Sequence, residues 1–171
     1  MVEIGAGTGR NLEFYGDGVE LTVTEPDPHM ARRLEHRIDE RGRRVELVRA
    51  AAEDLPFEDG RFDVAVSTLV LCGVDDQARA LGEVRRVLKP GGELIFIEHV
   101  RSDEPKLARW QDRLNPLNRV VARCNCNRAT VDAIRAAGFT ITKLERGELQ
   151  KAPPFVRPLA IGTATPNGSG G

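Results

Sequence analysis

The first nine residues, Met1-Val2-Glu3-Ile4-Gly5-Ala6-Gly7-Thr8-Gly9, constrain the fold more than any other stretch. A short apolar run carrying one acidic residue leads into glycine at every second position. A stretch that reads as helix follows, Arg10 to Tyr15. Strand, glycine loop, helix is the reading. Glycines let the backbone turn sharply and let a ligand come close to it. A helix start offers unpaired N–H groups to such a ligand.

The rest of the chain repeats the alternation. Residues 20–24 form a second strand with Glu25 at its end. Residues 26–41 form a helix with Met30, Leu34 and Ile38 as its apolar stripe and a solvated face of Arg32, Arg33, Arg37 and Arg41. Strands follow at 45–48 and 62–67, and the second is apolar after Asp63, as a buried parallel strand should be. Asp75-Asp76 can cap a helix over 77–88 that turns Ala78, Leu81, Val84 and Leu88 to the core. Pro90-Gly91-Gly92 should stop it before a fifth strand at 93–98.

Residues 103–123 look helical through Leu107, Trp110, Leu114, Leu117 and Val121, with Pro116 as an interruption. A short helix at 127–137 should close on Gly138. Residues 139–145 and 158–164 are two closing strands, antiparallel to each other because a loop with Pro153-Pro154 joins them and no helix does. The expected fold is α/β: a doubly wound, Rossmann-like, mostly parallel sheet of about seven strands with an antiparallel C-terminal strand. One domain over 1–164 and a disordered glycine-rich tail over 165–171 complete the organisation.

In such a sheet the ligand lies beyond the carboxyl ends of the strands. That selects the Gly5–Gly9 loop, Glu25, the loop at Ala51–Leu55, the segment Thr68–Gly73, and Glu98-His99. A formal net charge of −1 gives no general case for nucleic acid as partner. No apolar run approaches the ~20 residues of a membrane span. Three cysteines, Cys72, Cys124 and Cys126, are too few for a disulfide framework, so a cytoplasmic location is expected. A lone C-x-C at Cys124 and Cys126 lacks two further zinc ligands, so no metal is expected.

The dinucleotide fingerprint needs glycine or alanine at the last position of G-x-G-x-x-G, where this chain has Arg10. The third glycine falls one residue early, which argues against NAD. Glu25, 20 positions after Gly5, suits ribose hydroxyls.

Glu3-x-Gly5-x-Gly7-x-Gly9, Glu25, Glu53-Asp54-Leu55-Pro56-Phe57, Phe62-Asp63-Val64 and Leu88-Lys89-Pro90-Gly91-Gly92 together resemble the ordered motifs of class I S-adenosylmethionine-dependent methyltransferases. The segments 67–72, 96–100 and 124–128 are similar to the methyltransferase-like thiol S-methyltransferases and, more distantly, to quinone-biosynthesis C-methyltransferases. Against that family the N-terminal region is missing, which leaves open a truncated cofactor-binding domain with little or no activity.

The resemblance implies S-adenosylmethionine as cofactor and a small-molecule acceptor such as a thiol. It implies cofactor contacts at Glu3, Gly5, Ala6, Gly7, Gly9, Glu25, Ala52, Glu53, Thr68 and Leu69. Glu53 could equally be a cap, and Leu69 a core residue. Leu71, Cys72, Glu98 and His99 are the implied substrate-pocket residues. His99 is the one candidate base, or else it orients a loop.

Overall fold

The computed structural model describes residues 1–42 and 44–168. Seven strands form one sheet in the order β3-β2-β1-β4-β5-β7-β6. The strands are β1 (Val2–Ile4), β2 (Leu21–Thr24), β3 (Val45–Val48), β4 (Phe62–Thr68), β5 (Leu88–His99), β6 (Phe139–Glu148) and β7 (Pro158–Pro166). Pairs among β1 to β5 are parallel, whereas β7 runs antiparallel to both β5 and β6. The winding reverses at β1: the chain moves outward to β2 and β3, then returns to β4 on the other side. Such a switch point opens a crevice at the carboxyl ends of the two diverging strands.

The helices are α1 (Pro28–Arg41), α2 (Gln77–Val87), α3 (Pro105–Ala122) and α4 (Thr130–Ala136). Asp27 caps α1 by accepting from His29 and Met30 N–H, and Asp76 caps α2 by accepting from Arg79 N–H. Gly42 and Gly138 end α1 and the α4 segment at positive φ, 59° and 84°. Helix α1 buries Ala31, Leu34 and Ile38, but Met30 is 46% exposed, so the stripe is rotated by one residue at its start. Helix α2 buries Ala80, Leu81, Val84 and Val87 and leaves Ala78 outside. Phe96, Leu94, Ile4 and Leu71 lie at the centre of the main core.

Four expectations change. Residues 10–14 form a single 3-10 turn and not an α-helix. Pro90-Gly91-Gly92 lies within β5: residues 89–92 bulge out between the pairs Phe62–Leu88 and Val64–Glu93, with Gly91 at φ 77°. Helix α3 runs through Pro116 unbroken, on an exposed stretch where water can replace the lost backbone bond. Its buried side chains are Ala108 and Gln111, while Trp110, Leu117 and Val121 are exposed. Thr165 and Pro166 belong to β7, and Asn167 N–H donates to Gly138 O, so the ordered domain passes 164. The remainder of the expected tail, 169–171, lies outside the described residues.

Candidate active site

A cavity of about 600 Å3 occupies the crevice at the switch point. That volume suits a cofactor-sized molecule. The strand ends supply its walls: Gly5, Ala6 and Gly7 after β1, Glu25 after β2, Ala52 and Glu53 after β3, Thr68 at the end of β4 and Leu69 just after it. Glu3, Arg10, Asn11, Met30, Gly73, Val74, Asp75 and Arg123 are among the other residues that line it. Of the expected cofactor residues only Gly9 lies off the wall, packed against Leu12 and Leu34 instead.

The glycine loop is shaped by three left-handed residues, Gly5, Gly7 and Gly9, at φ 58°, 58° and 76°. A Cβ on Gly5 would sit 2.7 Å from Val70 Cγ2, and one on Gly9 would sit 2.6 Å from Leu34 Cδ1. A Cβ on Gly7 would meet nothing within 4 Å among the described residues, so Gly7 presents bare backbone to the cavity. The loop does not offer its amides freely. Gly5 N–H donates to Thr24 Oγ1, Ala6 N–H to Thr24 O, Gly7 N–H to Glu25 Oε2 and Gly9 N–H to Ala6 O. Its contribution is close approach, not a nest of free donors.

Glu25 is 5% exposed. Its Oε2 accepts from Gly7 N–H at 2.8 Å and its Oε1 from Asp27 N–H at 2.9 Å. Each carboxylate oxygen retains a second lone pair. The carboxylate is therefore fixed in place with acceptor capacity to spare. Glu3 is buried as well: Asn11 Nδ2 donates to its Oε1 at 2.8 Å and Tyr15 Oη to its Oε2 at 3.0 Å. Burial pushes its carboxyl above the usual range, and those two donors oppose the shift. The same Asn11 amide bridges to Thr68 Oγ1 at 3.0 Å, joining the ends of β1 and β4 across the crevice.

Glu53 accepts from Asp75 and Asp76 N–H at 2.9 and 3.4 Å, so it ties the loop after β3 to the start of α2. Arg86 and Glu83 hold that loop from behind. The guanidinium donates to Leu55 O and Phe57 O, and Glu83 Oε2 accepts from Leu55 N–H. Leu69 sits in the left-handed region at φ 58° and is 38% exposed at the cavity. A branched-chain residue held there marks a strained turn, as functional loops often carry.

The four expected substrate-pocket residues do not line the cavity; they lie beneath it. Leu71 is core. Glu98 is fully buried and organises the turn after β4: Ser67 Oγ and Val70 N–H donate to its Oε1, and Cys72 N–H to its Oε2. Burial raises its carboxyl above the usual range, against the pull of those donors. Cys72 and His99 are buried together with Cys124. The neighbouring Cys72 thiol and then the His99 ring hold the Cys124 thiol below its ordinary range, while the Cys124 sulfur beside it and burial push Cys72 upward. Cys124 thus finds its partners across the fold and not in Cys126.

Sequence reading missed Arg10, Asn11, Pro26, Met30, Val74, Asp75 and Arg123 as wall residues. Asn11 and Met30 could have been found from their places one turn past the glycine loop and past Glu25. Arg123 follows α3 in the left-handed region, φ 49°, and nothing local in the sequence places it at the crevice.

The sheet order, the glycine loop after its first strand and the carboxylate after its second agree with the class I S-adenosylmethionine-dependent methyltransferase resemblance that the sequence motifs carry. The chain belongs to the methyltransferase-domain family, whose match covers residues 2–96, from β1 into β5. It is similar to the thiol S-methyltransferases TMT1A and TMT1B of Homo sapiens. TMT1A is 37% identical over 170 residues, which is 96% of this chain and 69% of the relative. TMT1B is 36% identical over 168 residues, 95% of this chain and 66% of the relative. The chain thus spans about two thirds of the length of these relatives. Among solved structures, the [4+2]-cyclase SpnF superposes with a TM-score of 0.81, at 23% identity over 97% of this chain and 73% of that one. That likeness is one of fold. The family and fold imply S-adenosylmethionine as cofactor.

Proposed function

We propose that the cavity holds S-adenosylmethionine and that the protein transfers the methyl group to the sulfur of a small thiol. The residues fit the cofactor. Bare backbone at Gly7 allows the amino-acid end to pass close, and the fixed Glu25 carboxylate can accept from both ribose hydroxyls. Ala52, Glu53 and Met30 would offer a partly apolar wall to the base, and Thr68 and Leu69, across the cavity at the end of β4, would hold the methionine portion.

When bound, the cofactor supplies an already electrophilic methyl group. The chain's own work is then to hold the acceptor in line, to keep water out and to leave the nucleophile free. One observation carries the choice of acceptor: among the described residues, the cavity wall contains no histidine, lysine, cysteine or tyrosine. Its ionisable groups are Glu3, Arg10, Glu25, Glu53, Asp75 and Arg123. Glu3, Glu25 and Glu53 are already engaged by donors of the fold. A thiol with a pKa near 8.5 ionises appreciably at neutral pH without help, whereas a carbon or hydroxyl nucleophile needs a positioned base. The relationship to the thiol S-methyltransferases points the same way. His99 does not serve this step, since it is off the wall and its Nδ1 faces two sulfurs.

No helix among the described residues is long and apolar enough to cross a membrane. The free, buried state of Cys72, Cys124 and Cys126 agrees with a reducing, cytoplasmic setting. Calorimetric titration with S-adenosylmethionine and its demethylated product tests the cofactor site, with Glu25→Ala as the probe. The expected result is saturable binding that Glu25→Ala weakens at least ~10-fold, the equivalent of about 1.4 kcal/mol. Undiminished binding to a folded variant would remove Glu25 from the site.

A further inference from the structure

Three potential metal donors from distant parts of the chain converge below the cavity. Cys72 follows β4, His99 ends β5, and Cys124 follows α3. His99 Nδ1 lies 3.6 Å from Cys72 Sγ and 3.2 Å from Cys124 Sγ. The donor atoms of all three lie within 4.8 Å of one another, and all three residues are buried. One imidazole lone pair cannot serve two sulfurs at once. A cation between them would engage all three donors.

The spacing and the two sulfur donors are compatible with zinc. Zinc binds thiolate sulfur at about 2.3 Å and imidazole nitrogen at about 2.0 Å in tetrahedral geometry. Those bond lengths and a tetrahedral angle put sulfur and nitrogen about 3.5 Å apart, and two sulfurs about 3.8 Å apart. The observed sulfur–nitrogen distances need to change by no more than a few tenths of an ångström.

We propose that Cys72, His99 and Cys124 form a zinc site, with two thiolates and His99 Nδ1 as its three protein donors. The imidazole then carries its proton on Nε2, the buried atom left without a hydrogen-bond partner among the described residues. Cys126 stays outside the site, its thiol directed at Asn115 Oδ1 at 3.9 Å. The backbone around the donors is already held: Asn118 Nδ2 donates to Cys124 O, and Asn125 N–H donates to Cys72 O. Such outer contacts fix the orientation of metal ligands. Three protein donors leave a fourth position for water or an incoming ligand, as in catalytic zinc sites. The residues next to two of the donors, Gly73 and Arg123, line the cavity, so a bound ion would also brace its wall.

The test uses the full chain, reduced and stripped of metal with a chelator. Zinc chloride is titrated against a chromophoric competitor, and cobalt(II) is substituted as a spectroscopic probe. One equivalent should bind, with thiolate-to-cobalt charge transfer in the near ultraviolet. Losing outer contacts alone weakens metal sites 10–100-fold, so Cys72→Ser and Cys124→Ser should each weaken binding by more than ~100-fold. Cys126→Ser should bind like the parent. Circular dichroism establishes that each variant folds. X-ray absorption at the zinc edge of the loaded parent protein needs no variant at all. It should show two sulfurs near about 2.3 Å and nitrogen near about 2.0 Å. Failure to bind one equivalent, binding that survives both serine variants, or a shell without two sulfurs would overturn the proposal.

Discussion

Replacing Gly7 with alanine separates what the glycine loop does for the fold from what it does for the ligand. Gly7 has φ 58°, and an added Cβ would find nothing within 4 Å among the described residues. The cost to the free protein is then only the left-handed strain of an L-residue, about 1–2 kcal/mol. For a domain of this size that corresponds to a melting temperature lower by roughly 2–8 °C. Gly9→Ala carries the same strain and also drives a methyl to 2.6 Å from Leu34 Cδ1 and 2.9 Å from Leu12 Cδ1. Overpacking of that kind adds about 1–3 kcal/mol. Ligand binding should rank the two variants in the opposite order. The Gly7 methyl would stand in the space where the cofactor must approach the backbone, and affinity should fall at least ~10-fold, or about 1.4 kcal/mol. Thermal unfolding and calorimetry with S-adenosylmethionine, run on both variants, give the two rankings. Gly7→Ala with parent-like affinity would refute the idea that the loop serves by close approach.

Glu98 and Glu3 make stability depend on pH in a defined sense. Burial raises both folded-state pKa values above the ordinary 4.5, so the native state holds more protons than the unfolded chain above that pH. Their contribution is fully present below about 4.5 and declines as pH rises through the folded values. Denaturant midpoints measured upward from pH 4.5 should show this decline, and Glu98→Gln should flatten it. Gln111 is fully buried, donates to the carbonyls of Val100, Cys126 and Phe155, and accepts from Ser102 N–H. Gln111→Leu strands those groups and should destabilise the protein by about 2–4 kcal/mol in urea titration.

Much of the fold could be read locally. Alternating strands and helices, the Asp27 and Asp76 caps and the glycines after α1 and α4 are decided by residues within one turn of each other. The same holds for the crevice, because strand ends and a switch point follow from the order of elements. What escaped reading depends on residues far apart in sequence. The loop amides of Gly5 and Gly7 are spent on Thr24 and Glu25, almost 20 residues away. Pro90-Gly91-Gly92 looked like a helix stop, yet the pairing of β4 with β5 carries it as a bulge. Glu98 and His99 stand at a strand end, where a ligand is expected, but the turn after β4 folds over them and buries both. The Cys72–His99–Cys124 group required α3 to return to the sheet, and no spacing rule joins residues separated by 25 or more positions.

The central claim is methyl transfer to sulfur. Incubating the protein with S-adenosylmethionine carrying an isotopically labelled methyl group, together with panels of small thiols, phenols and quinols, tests it directly by mass spectrometry. The account predicts labelled thioethers, formed faster as pH rises toward the acceptor pKa, and no labelled ether or carbon-methylated product. Label on carbon or oxygen with the thiols untouched would contradict it, as would tight cofactor binding with no labelled product from any thiol.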